Sequence, residues 1–78
     1  FKLNRKGKVN NMKKKYEVVG KLCIELGELM VKLDKLESFV ESVGFQCLSD
    51  RQQEIMMDQL DIMKDYATVL GRRIEDLT

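Results

Sequence analysis

Apolar residues recur along this chain at spacings that alternate three and four, and they do so in two separate runs. The first is Val19, Leu22, Leu26, Leu29, Leu33, Leu36, Val40 and Val43; the second is Met56, Leu60, Met63, Ala67, Leu70, Ile74 and Leu77. Each run is the heptad seam of an amphipathic helix. The pattern predicts helix 1 over about residues 11–43 and helix 2 over about 50–76, joined by a turn at 44–49. Gly44 stands where a glycine in the left-handed conformation ends a helix. "SDRQ" reads as a capping box, in which Ser49 accepts from the Gln52 N–H while Gln52 reaches back to Ser49. Asp50 suits the positive end of the helix dipole. A turn this short makes the helices antiparallel. The fold class expected is therefore all-α: a hairpin of two long antiparallel helices, one domain over residues 12–78.

Both helices carry more apolar surface than one partner can hide. Helix 2 has a second stripe of Ile55, Ile62 and Val69, interleaved with Gln59, Tyr66 and Arg73. At 100° per residue, the two stripes together cover roughly 180° of its surface. Helix 1 has its surplus nearly opposite the seam, at Gly20, Ile24, Gly27 and Val31, flanked by Cys23 and Met30. A glycine inside a helix costs up to about 1 kcal/mol relative to alanine. Two of them on one apolar face suggest backbones that approach closely. These seven positions (Gly20, Ile24, Gly27, Val31, Ile55, Ile62, Val69) form the expected oligomer interface, and the hairpin is expected to assemble into a homo-oligomeric helical bundle.

Composition supports the helical reading, since the 78 residues contain no proline and are rich in Leu, Lys, Glu, Asp, Met and Val. The net charge of +1 conceals an asymmetry. Residues 1–15 hold seven bases and no acid, whereas residues 16–78 hold seven bases and thirteen acids. Residues 1–11 are expected to form a basic N-terminal tail. Two readings of it stay open: an arm for nucleic acid, or a solvated end that is in part not native. No apolar stretch is long enough to cross a membrane without being cut by charges, so a cytoplasmic setting is expected.

The chain has no histidine, and Cys23 and Cys47 lack zinc-ligand spacing. Nucleophilic catalysis has no base to support it, and no glycine-rich phosphate loop occurs. Asp58, Asp61 and Asp65 fall on one helix face, without the companion histidines of a di-iron bundle. No enzyme activity, metal or cofactor is expected. The candidate ligand residues are instead Tyr66, Arg73 and Gln59, seven apart along one edge of helix 2, with Arg72 and Lys35 adding positive charge. Tyr66 offers a ring for base stacking and Arg73 a guanidinium for phosphate. The same residues would also serve as snorkelling seam-edge groups.

"KLDKLESFVES", then Phe45 and Leu48, then Gln59, Met63, Tyr66, Leu70, Arg73 and Ile74 form a longer pattern. It resembles small proteins of tailed bacteriophages and prophages related to a crAss-like phage protein, over roughly Tyr16 to Ile74. The resemblance implies a non-enzymatic phage accessory protein acting inside a bacterium. By analogy with other small helical phage oligomers, it would sequester a nucleotide-type immune signal, such as a cyclic nucleotide. Two alternatives stand beside this: a module that binds and blocks a host or phage protein, and nucleic-acid binding through the basic tail.

Overall fold

The computed structural model describes residues 3–78, with side chains from Lys13 onward. Three helices follow one another: α1 (Leu3–Val40), a single turn α2 (Val43–Gln46), and α3 (Asp50–Leu77). No strand occurs among the described residues. The two long helices form the antiparallel hairpin, and the seam is the one read from the heptads. Leu22, Leu29, Leu33, Leu60 and Leu70 are buried. Leu26, Met63, Ala67, Ile74 and Leu77 pack around the cluster of Leu22, Leu29 and Leu70.

The boundaries of helix 1 differ from expectation at both ends. α1 begins at Leu3, so the backbone of residues 3–10 is already helical before the expected start near residue 11, and residues 1–2 of the expected basic tail lie outside the described residues. No proline or capping signal interrupts the chain there. At the other end α1 stops at Val40, because Ser42 adopts an extended conformation (φ −93°, ψ 165°) and caps α2. Its hydroxyl accepts from the Phe45 N–H at 3.3 Å and donates to the Phe39 carbonyl. Val43, expected in the seam, is displaced by this break and is 74% exposed.

Gly44 is likewise not a left-handed C′ residue. It sits inside α2, and no glycine among the described residues has positive φ. Its lack of a side chain serves close packing instead: a Cβ there would lie 3.1 Å from the Phe39 ring. Phe39 meets Phe45 edge to face, with centroids 6.3 Å apart.

Ser49 caps α3 as expected, accepting from the Gln52 N–H at 3.1 Å. The reciprocal bond from Gln52 is not formed. The neighbouring Gln53 does more, because its Nε2 donates to the carbonyls of Phe45 and Leu48 at 3.1 Å and of Gln46 at 3.4 Å. One amide thus satisfies the Gln46 and Leu48 carbonyls and adds to the Phe45 carbonyl, which already accepts from the Leu48 N–H at 3.0 Å. Gln53→Ala is expected to lower stability by about 1–2 kcal/mol, the usual cost of stranding part-buried carbonyls. Urea unfolding with an unchanged slope would read it, and an unshifted midpoint would refute it.

Across the seam, two contacts tie the flanks. Lys64 pairs with Glu37 at 3.3 Å, and the Tyr66 hydroxyl donates to the Glu25 carboxylate. Lys64 and Tyr66 are about 200° apart around α3, so these contacts lie on opposite sides of the hairpin. At the open end, Leu77 and Thr78 line one depression with Lys15, Tyr16 and Val19. The part of α1 before Lys15 therefore extends past the end of α3.

The result is a rod of 63 × 17 × 14 Å with a radius of gyration of 18.7 Å. A compact domain of this length would have a radius near about 11–12 Å. The accessible surface is 6386 Å², against about 4,900 Å² for a compact monomer of this mass. The hairpin leaves far more surface uncovered than a self-sufficient domain does.

Candidate functional site

The uncovered apolar surface lies where the surplus stripes were read. On α1, Ile24 is 64% exposed and Val31 is 55% exposed, with Gly20, Gly27 and Cys23 also open to solvent. On α3, Ile62 is 67% exposed, and Ile55 and Val69 are nearly half exposed. The two stripes do not merge. That of α3 lies about a third of a turn from its seam, beside the edge that carries Tyr66; that of α1 points away from α3.

The candidate ligand residues are only partly brought together. Tyr66 keeps a ring that is 44% exposed, while its hydroxyl is engaged by Glu25. Its polar tip is therefore committed within the hairpin, and the ring face is what it offers outward. Arg72 and Arg73 line an open depression at the end of α3 with Val69, Glu75 and Asp76. Among the described residues neither arginine is in a salt bridge. Arg73 lies seven residues from Tyr66 on the same stripe, about 10 Å along the axis.

Gln59 Nε2 instead contacts the Met63 sulfur at 3.9 Å. Lys35 lies on α1 nearer the turn, where its neighbour Asp34 shares a depression with Leu60 and Lys64. Lys35 itself lines neither this depression nor the one beside the arginines. One chain thus gathers the arginines, places Tyr66 in line with them, and leaves Gln59 and Lys35 apart. Glu25 was not singled out in the sequence; the antiparallel register, which sets residue 25 opposite residue 66, was the signal available.

These features define a small helical hairpin whose uncovered apolar surface forms open stripes rather than an enclosed cleft. Among the described residues no helix is long and apolar enough to cross a membrane. The Sequestin family model matches residues 16–76, and the chain belongs to that family. It is also 40% identical over 50 residues to a 7.5 kDa protein from the denB–rIIB intergenic region of Enterobacteria phage T4, itself described as uncharacterized. That match covers 64% of this chain and 78% of the phage protein. No solved structure matches. The family and this relative support a small phage protein, the coarser part of what the resemblance in the sequence implied; they show no relation to a crAss-like phage protein.

Proposed function

We propose that this protein is a non-enzymatic phage sponge, a homo-oligomer of hairpins that captures a nucleotide-type immune signal in the cytoplasm of the infected bacterium. The family's name speaks for sequestration. The observation that carries the ligand class is the line of exposed Tyr66, Val69 and Arg73 on α3, with Arg72 beside it. A planar ring face and a guanidinium about 10 Å apart suit a base and a phosphate of one small molecule. Glu75 and Asp76 flank the arginines, so one hairpin supplies little net positive charge. A second hairpin laid over the stripe encloses the ligand and excludes water, which strengthens each polar contact.

Titration calorimetry with cyclic dinucleotides and ADP-ribose-type signals tests the reading. Arg73→Ala is expected to weaken binding at least tenfold, and Tyr66→Ala similarly, whereas Tyr66→Phe keeps the ring and most of the affinity. A folded wild-type assembly that gives no heat with any of these ligands would overturn it. The exposed Ile62 also suits a second reading, a host or phage protein seated on the α3 stripe. Stoichiometric recovery of one such protein, with no nucleotide binding, would favour that alternative.

A further inference from the structure

One heptad position of α1 serves neither the hairpin seam nor the proposed ligand stripe. Taken every seven residues it reads Lys6, Lys13, Gly20, Gly27, Asp34 and Glu41: two bases, two glycines, two acids. The first five lie within α1 and Glu41 directly follows it. A strict seven-residue repeat holds a fixed relation to the seam of a supercoiled helix pair, so the position traces one line along the rod. That line runs beside Ile24 and Val31, more than about 100° from the seam. Lys13, Gly20, Gly27, Asp34 and Glu41 are all exposed. A Cβ at Gly20 or Gly27 would meet nothing within 4 Å, so no contact inside the chain calls for glycine there.

We propose that this face is covered by a second copy of the chain, in an antiparallel α1–α1 contact about a two-fold axis between Gly20 and Gly27. The pattern of charge is its own complement when reversed. Turned end over end, a second α1 lays its Asp34 against Lys13 and its Gly27 against Gly20. The two-fold axis repeats each of these pairs, as an isologous interface must. The glycines let the backbones approach at the centre, where Ile24 of each copy meets its counterpart. A parallel, in-register contact would instead set Lys13 against Lys13 and Asp34 against Asp34.

Area points the same way. The rod exposes about 1,500 Å² more than a compact monomer of its mass, and a standard interface takes about 800 Å² from each partner. The α1 face can be covered while the α3 stripe stays available to a ligand or a further hairpin. This inference rests on the self-assembly proposed above and on no particular ligand.

Charge reversal on the full chain tests it, with sedimentation equilibrium and circular dichroism as readouts. Asp34→Lys alone and Lys13→Glu alone are each expected to weaken association about tenfold or more while leaving the helical signal intact. The double variant Lys13→Glu/Asp34→Lys recovers wild-type association, because both pairs re-form with reversed sign. In a Cys47→Ser background, Cys23 stands beside the axis at the same level in both copies. A short bismaleimide is expected to link the two thiols in the parent and in the double reversal, and to fail in Asp34→Lys. Single reversals that associate like wild type, or a double variant no better than the singles, would overturn the α1 pairing and leave self-assembly standing. A wild-type chain that stays monomeric at tens of micromolar would overturn both.

Discussion

Leu70→Ala is expected to leave the hairpin only barely stable at room temperature. Leu70 is 1% exposed and joins Leu22 and Leu29 in the buried cluster, with Met63, Ala67 and Ile74 around it. Truncating a fully buried leucine costs about 2–5 kcal/mol through lost transfer energy and the cavity left behind. Small domains have total stabilities of only about 5 kcal/mol, so the loss consumes most of the margin. A hairpin has two layers and few neighbours able to collapse into the gap. Leu70→Met keeps volume and is expected to cost less than about 1.5 kcal/mol. Circular dichroism during urea titration separates the two, and an alanine variant melting within a few degrees of wild type would contradict the packing described here.

Gly27→Leu is the second large effect, and its sign is informative. Within an isolated helix the change is favourable by about 0.8 kcal/mol, and the space around Gly27 is empty in the single hairpin. A lone hairpin should therefore gain stability. If Gly27 lies where two backbones meet, the leucine holds the copies apart and assembly is lost. Association that favours the folded state contributes about 2.7 kcal/mol when the free partner is at a hundred times its dissociation constant. The wild-type thermal midpoint is expected to rise with protein concentration. The variant should stay helical, melt lower at high concentration, and show a midpoint independent of concentration. A variant that melts higher than wild type at every concentration would mean that the glycine was only tolerated.

The seam was legible because its signal is periodic and one-dimensional. Leu22, Leu29, Leu60 and Leu70 needed only the alternation of threes and fours to be placed inside. The cap at Ser49 was legible for a similar reason, since capping chemistry acts over three residues. The end of α1 was not. Val40 to Gly44 continues the apolar rhythm and then offers a glycine, which reads as one helix and its stop. What decided the matter was competition from Ser42, whose hydroxyl bonds both to Phe39 and to Phe45 and so breaks the helix three residues early. The role of Gly44 depended on the Phe39 ring, a contact that exists only after the turn has folded.

The candidate site divides along the same line. The exposed stripe of Ile55, Ile62 and Val69 follows from helical phase and could be read directly. The commitment of the Tyr66 hydroxyl to Glu25 required the register between helices, which depends on the turn. Gln53 escaped attention because it resembles any polar residue in the first turn of a helix. Its significance lies in three carbonyls that no pattern in the sequence marks.

That glutamine also bears on the order in which the rod is made. The residues it joins are five to eight positions apart, so the loop it closes costs little chain entropy, whereas bringing Lys15 and Leu77 to the depression they share closes a loop of about sixty residues. Contacts near the turn can form first, and each layer of leucines then shortens the loop that the next must close. The hairpin would thus zip from its tight end toward its open end. The open end, last to close and first to part, is also where α1 runs on past the end of α3.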